Sequence, residues 1–318
     1  MQENRTNTTK DQLNTKVTRR RFLSGAAGVA AAVPVAGLLP ASAANAASGR
    51  SHRPTGSTVK VDVTAQKLTI TPSRIPAGVV HLDVSTPDAA SIAPGLLRLK
   101  GGVDIDTFLD HYIKAYSTDL ETKRKYTAII EREADFFGGA AVTSVGPVRT
   151  TAILRPGRYY LFNYNAALTP YLRDSVVPLQ VGPGHSHGCL PKIDDVILLC
   201  GSGPGSQFVM SDRIPGHGTF LVSNLTRQIN EAMWLRIADN ATEDDVREFW
   251  AAVRAGQRPP KPVILSAPEG LAPMNSGFSG IVTTAMPPGR YMITTFMYDR
   301  QTWVKGVFEG FWKLITLY

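Results

Sequence analysis

"RIPAGVVHLDVST", Arg74 to Thr86, and "RIPGHGTFLVSN", Arg213 to Asn224, begin with the same three residues and run into the same kind of alternation. In the first, Val80, Leu82 and Val84 fall on every second position before Ser85-Thr86. In the second, Phe220 and Val222 do so before Ser223-Asn224. Apolar residues at a period of two mark a strand with one buried face, and the Pro or Gly ahead of them marks the turn that starts it.

The agreement continues outward. Leu97-Arg98-Leu99 is matched by Leu235-Arg236-Ile237, each followed by a helical stretch, and Pro-Gly-Arg-Tyr occurs at Pro156 to Tyr159 and again at Pro288 to Tyr291. These landmarks keep their order at offsets of 139, 138 and 132 residues, which is the pattern of an internal duplication. Each unit is expected to be a small Greek-key β-sandwich with a helical insertion between its early and late strands, so the chain is mainly β. Asp104 and Thr242 are the expected N-caps, with Phe108 and Tyr112 and then Val246, Phe249, Trp250 and Val253 forming apolar helix faces. Asp119 to Phe137, with Tyr126, Ile129, Ile130 and Phe137 on one face, predicts a second helix in the first unit alone. Gln257 to Pro262 is too proline-rich for a helix.

This succession of a Pro-Gly-initiated strand, a strand ending in Asn, a Leu-Arg-Leu strand, a helix and a closing Pro-Gly-Arg-Tyr strand is similar to bacterial cupredoxin-like domains. The resemblance covers most of residues 58–318. It implies a type 1 copper held by a histidine after the early strand and by Cys, His and Met around the last loop, a thiolate and imidazole set that suits copper. Carried onto this sequence, the first histidine falls near Ile92 and on Asn230, since Asn224 to Glu231 follows the Asn-x5-His-Glu pattern. The cysteine falls on Asn163 and Thr295, the loop histidine near Pro170 and Gly306, and the methionine near Ser175 and Phe311. No cysteine follows Cys200 and no histidine follows His217, so the resemblance implies cupredoxin-like units without their copper and no resident cofactor. Six histidines are also too few for a multicopper oxidase.

Residues 1–46 read as a signal peptide. Thr18-Arg19-Arg20-Arg21-Phe22-Leu23 resembles the twin-arginine motif, an apolar stretch Gly25 to Leu39 follows, and Ala41-Ser42-Ala43 and Ala44-Asn45-Ala46 both offer a small-x-small cleavage pattern. The Tat export machinery is therefore an expected partner, the mature protein is expected outside the cytoplasmic membrane, and no cysteine at the cleavage sites offers a lipid anchor. Removing the leader leaves 28 basic against 24 acidic residues, a formal charge of +4, with no basic run interleaved with aromatics to suggest nucleic acid. The expected divisions are a disordered mature N-terminus at 47–57, a first domain at 58–182, a linker at 183–192 and a second domain at 193–318.

The linker carries the most suggestive side chains. In "VGPGHSHGCLPK", Val181 to Lys192, an extended backbone would project His185, His187 and Cys189 from one face as soft ligands for Cu or Zn. Its glycines and prolines equally suit a plain connection, with Cys189 paired to Cys200 in a disulfide favoured by an oxidising exterior. His81 is expected facing solvent or an inter-domain contact, His111 on a helix surface or partly packed, and His217 in a Gly-His-Gly turn. Most aromatics after the two Pro-Gly-Arg-Tyr motifs should be core, whereas Tyr164, Tyr171, Tyr298 and Trp303 fall in the loops that carry copper in the family and are the candidate ligand-binding residues. Three functions follow: a binding module for a small ligand or an extracellular protein, a metal-binding protein using His185, His187 and Cys189, or an enzyme whose polar site the sequence does not group.

Overall fold

The computed structural model describes residues 56–186 and 188–318, with His185 described by its backbone alone. The leader and most of the 47–57 segment lie outside the described residues, as does His187. Ser57, expected in the N-terminal extension, already belongs to the first strand.

The first unit comprises β1 (Ser57–Val63), β2 (Leu68–Thr71), β3 (Arg74–Ser85), β4 (Pro94–Leu99), α1 (Ile105–Ala115), α2 (Leu120–Glu133), β5 (Ala134–Ala141), β6 (Val148–Leu154), β7 (Gly157–Asn163) and β8 (Val176–Ser186). The second comprises β9 (Asp195–Cys200), β10 (Gln207–Val209), β11 (Arg213–Ile214), β12 (His217–Asn224), β13 (Asn230–Arg236), α3 (Glu243–Arg254), β14 (Glu269–Met274), β15 (Ser279–Ala285), β16 (Gly289–Thr294) and β17 (Trp312–Leu317). The pairings repeat: β1 with β3 and β9 with β12 are parallel, and β3–β6, β4–β5, β4–β7 and β7–β8 are mirrored by β12–β15, β13–β14, β13–β16 and β16–β17. The fold is thus mainly β, built of Greek-key sandwiches with helical insertions.

The repeated tetrapeptide has a local cause. Gly157 and Gly289 have φ of 154° and 149°. A Cβ at Gly157 would lie 3.3 Å from the Arg98 guanidinium and one at Gly289 3.1 Å from that of Arg236, so glycine lets the arginine of the Leu-Arg-Leu strand lie close. The tyrosine that follows turns back on its own chain: Tyr159 Oη donates to the Arg155 carbonyl at 3.1 Å and Tyr291 Oη to the Pro287 carbonyl at 3.0 Å.

The sandwiches are fused through both of their sheets. β6 pairs antiparallel with its own counterpart β15, Thr151 opposite Ile281, and β5 pairs antiparallel with its counterpart β14, Ala140 opposite Leu271. One layer therefore runs β2-β1-β3-β6-β15-β12-β9-β10 and the other β8-β7-β4-β5-β14-β13-β16-β17, each reading the same from either end in terms of equivalent strands. Such self-pairing of equivalent strands is what a local two-fold axis between duplicated halves produces. The inner core accordingly joins residues of both units, among them Leu82, Leu161, Phe220, Trp234 and Ile293.

The helices of both insertions cover the outer face of the second layer. Alternate residues of its strands feed the two cores, Tyr159 and Leu161 inward, Tyr160 and Phe162 toward the helices, which explains the unbroken apolar run there. α1 is capped by Asp104, whose carboxylate accepts from the Thr107 amide, and α3 by a reciprocal Thr242/Asp245 capping box. α2 is capped by Asp119 but stops at Glu133, because Ala134 turns extended and Phe137 belongs to β5. In that strand Phe137 packs its ring 5.5 Å from Tyr159 and 5.3 Å from Phe278.

Two expectations around the connection change. β8 runs on to Ser186, pairing His185 with Ala77 and Ser186 with Gly78, so the first residues of the expected 183–192 linker continue a sheet. The expected disulfide is not formed: Cys189 is an exposed free thiol and Cys200 a half-buried one. Cys200 ends the six-residue strand β9 opposite Gln207. Cys200 is thus held in a sheet, whereas Cys189 lies on exposed chain six residues before that strand begins.

Candidate functional site

The positions onto which the cupredoxin resemblance maps copper ligands do meet in the second unit. Thr295, just beyond β16, donates its hydroxyl to Asn230 Oδ1 at 3.0 Å, and Asn230 Nδ2 donates to Thr226 Oγ1 at 2.9 Å. A Cβ on Gly306 would lie 2.8 Å from Thr295 Cγ2 and 3.3 Å from Phe311 Cβ. Thr226 Oγ1 in turn donates to Asn224 Oδ1 at 2.6 Å, and the Asn224 amide reaches the Gln228 and Met274 carbonyls. Asn224, Asn230, Thr226 and Thr295 are all at most 2% exposed. This donor set, an amide and a hydroxyl engaged with each other beside Gly and Phe, does not fit a type 1 copper, which needs a thiolate and imidazoles.

The first unit fills the same place differently. Ile92, Asn163 and Ser175 are buried there, while Pro170 is exposed. Asn163 Oδ1 accepts from the Asn165 amide at 3.0 Å, but its buried Nδ2 has no partner among the described residues. Ser175 Oγ donates to the Leu172 carbonyl at 2.7 Å.

Between the two tips, on the helix side of the second layer, the protein buries a carboxylate. Glu231 is 1% exposed, and its Oε1 accepts from the Phe296 amide at 2.8 Å. Burial pushes its pKa to about 7, against the partial opposition of that hydrogen bond and of the Lys305 ammonium. Lys305 is itself lowered by burial. Tyr112 and Tyr164 lie close enough to feel the Glu231 charge, and burial raises both well above the usual phenol range. Tyr112 and Tyr116 hydroxyls are 2.8 Å apart, whereas the buried Tyr164 hydroxyl has no partner among the described residues. A lone acid inside the apolar strand "NEAMWLR" was the signal available for this group in the sequence.

The four loop aromatics are not brought to one surface. Tyr164 is buried, its ring 4.4 Å from Phe162, and Tyr171 is 38% exposed at the first unit's tip. Tyr298 and Trp303 face α2 across the seam: Lys123 lies 4.4 Å over the Tyr298 ring and Arg124 5.6 Å over Trp303. Arg300 from the same loop pairs with Glu131 at 2.7 Å, so this loop clamps the second unit to the first unit's insertion.

Among the histidines, His81 is not solvent-facing but 1% exposed at the seam. Its Nδ1 is 2.8 Å from Thr151 Oγ1 on β6, and its buried Nε2 has no partner among the described residues. Desolvation and the nearby Arg149 lower its pKa, which favours the neutral ring. His111 pairs with Glu133 at 2.9 Å, and His217 opens β12 rather than sitting in a turn. Of the proposed metal ligands, Cys189 is exposed, while the His185 side chain and His187 lie outside the described residues. Among the described residues no group of three or more His, Cys, Asp or Glu side chains is placed to hold a metal ion.

No family model matches the sequence, and no curated protein matches it. Among solved structures the chain is similar to auracyanin A, a "blue" copper protein from Chloroflexus aurantiacus. That match has 12% identity over 39% of this chain and 98% of that one, at a TM-score of 0.27. An auracyanin from Roseiflexus castenholzii matches at 18% identity over 39% and 94%, with a TM-score of 0.23. A copper nitrite reductase from Nitrosomonas europaea matches at 10% identity over 82% and 93%, with a TM-score of 0.22. At these scores the superpositions carry no argument, and the description of the fold as Greek-key sandwiches with helical insertions stands on the strand order and pairing themselves.

Proposed function

We propose that this chain is an exported, copper-free tandem cupredoxin-like protein that works as a binding module, its fused sandwiches serving as a rigid scaffold for a small ligand. The observation that carries the reading is the Asn230–Thr295 hydrogen bond at 3.0 Å, which closes the second unit's tip where a copper thiolate bond would stand. An amide and a hydroxyl held on each other in the core offer neither the thiolate nor the imidazoles that a type 1 copper needs, and their bond is costly to break. Export is supported by the twin-arginine leader and its cleavage pattern. No described helix is long and apolar enough to cross a membrane.

Metal analysis of the purified mature protein tests this. Copper-free protein that takes up no stoichiometric Cu or Zn supports the reading. Uptake abolished by Asn230→Ala or Thr295→Val overturns it.

One observation favours a second reading, a metal centre away from the tips. The orphaned Nε2 of His81 lies where a Cβ on Gly56 would come within 2.8 Å, and Gly188 packs on Gly56 in turn. Ser186 Oγ donates to the Val79 carbonyl at 2.9 Å, so the chain at Ser186 is held alongside the same strand. A hydrogen bond from Nδ1–H to Thr151 would hold the ring as an Nε2 ligand, as outer partners of metal-bound histidines do. Stoichiometric uptake lost in His81→Gln and in His187→Ala, but kept in Asn230→Ala, would select this reading.

A further inference from the structure

The last loop of the second unit, on its way from the closed tip to β17, forms one wall of an open concavity of about 650 Å³ whose other wall is α3. Its lining includes Arg247, Trp250 and Arg254 from the helix and Phe308, Glu309 and Trp312 from the loop and strand. That volume is in the range of small-molecule sites, roughly 300–1,000 Å³. Two features mark it as more than a surface dent. Trp250 is 4% exposed, its ring 5.9 Å from Phe308, yet its buried indole N–H finds no acceptor among the described residues. Buried donors are normally satisfied, and an orphan beside a concavity points to an acceptor from outside.

The charge on this wall is the second feature. Arg247 lies 5.8 Å over the Trp312 ring and is already engaged by Glu243 and Asp244 at 3.0 and 2.8 Å. Arg254 is exposed and has no acidic partner among the described residues, and Glu309 is the single acid of the lining. Half-buried rings of Phe308 and Trp312 offer flat apolar area, and an unpaired guanidinium offers the planar fork that fits a carboxylate. A neighbouring concavity of about 710 Å³ shares Arg247, Gly310 and Trp312, and adds Phe208, Arg213 and Arg290 together with two acids, Asp212 and Glu243. Its cations face acids of the same lining, Lys313 paired with Asp212 at 2.7 Å and Arg247 with Glu243 at 3.0 Å.

We infer that the concavity between α3 and the last loop binds a small aromatic carboxylate, its charge on Arg254 and its ring against Trp312 and Phe308. This deepens the binding role proposed above and rests on it, giving that role a place and a ligand class. The orphaned Trp250 N–H supplies a further donor for the ligand's oxygen.

Titration of the mature protein with salicylate, against the uncharged isostere salicylamide, read by calorimetry, tests the inference. Saturable salicylate binding is expected, with salicylamide at least about tenfold weaker. Arg254→Ala should weaken salicylate about tenfold and Trp250→Phe, which keeps the ring but removes the N–H, by a smaller factor. Arg290→Ala in the neighbouring concavity should leave binding unchanged. Absence of saturable binding, equal affinity for the two probes, or an unchanged affinity in Arg254→Ala would each overturn the inference. So would a loss in Arg290→Ala as large as that in Arg254→Ala. The metal analysis above is independent of these outcomes, so failure here is separable from failure of the copper-free reading.

Discussion

The two sandwich tips occupy equivalent places in a duplicated fold and have been filled by opposite means. In the second unit Asn224, Thr226, Asn230 and Thr295 form a chain in which each side chain satisfies the next. In the first, Ile92 replaces the leading polar residue, and the amide of Asn163 is left buried with an unpartnered Nδ2. Beside Asn230 stands the buried carboxylate of Glu231, whereas the residue after Ile92 is Ala93. The difference teaches that the scaffold constrains which positions meet, not what chemistry meets there. One tip became a rigid polar lock with a titratable neighbour, and the other an apolar plug with one loose end.

The largest effect expected from this contrast is in pH dependence, because only the second tip carries a buried acid. With its pKa raised from 4.5 to about 7, Glu231 keeps its proton in the folded state where the unfolded chain has released it. Its contribution to stability is therefore fully present below about pH 4.5 and lost as pH rises through about 7, by roughly 3 kcal/mol. Denaturant unfolding of wild type at about pH 5 and about pH 8 should show this fall, and Glu231→Gln should flatten it. An equal fall in the variant would move the titration elsewhere.

The locks themselves come next. Asn230→Ala removes two buried hydrogen bonds, leaves Thr295 without its acceptor and opens a void, so a loss of about 3 kcal/mol is expected. Asn163→Ala removes an amide that is only half satisfied, and about 1 kcal/mol is expected by the same reasoning. Thermal or chemical unfolding of both variants measures the gap, and equal losses would erase the asymmetry between the tips. The smallest effect should show no asymmetry at all. Tyr159→Phe and Tyr291→Phe each delete the same hydroxyl-to-carbonyl bond, at 3.1 and 3.0 Å, and should each cost about 1 kcal/mol. A marked difference between them would mean the two halves are not equivalent even where their sequences agree.

What was legible in the sequence was local. The Pro-Gly-Arg-Tyr repeat, the caps at Asp104 and Thr242 and the apolar alternation of β3 and β12 each depend on residues within a turn or two of each other, and they report strand starts and helix starts faithfully. Asn230, Thr295, Gly306 and Phe311, far apart in the sequence, do come together in the second unit. The fusion of the layers was not legible. β6 and β15 pair with each other through backbone groups, and nothing in "VRTTAIL" or "SGIVTTA" distinguishes an edge paired to a partner strand from one facing water. Helix α2 ends at Glu133, short of what its apolar spacing predicts, for a related reason. Phe137 has the helical spacing, but pairing of β5 with β4 and β14 claims that stretch for the sheets. The aromatic and arginine wall of α3 was hidden because Arg247, Trp250 and Arg254 read as one amphipathic helix until the last loop is laid beside it.

The account stands on Asn230 and Thr295 occupying a former ligand position, and a cobalt(II) titration tests that most directly. In a Cys189→Ser, Cys200→Ser background, the parent protein should stay free of any thiolate-to-cobalt absorption. Adding Asn230→His and Thr295→Cys should produce that absorption at one cobalt per chain, since the two side chains already touch. A parent that develops the band's companion ligand-field spectrum through Asn230 and Thr295, or a variant that binds cobalt without thiolate coordination, would contradict it.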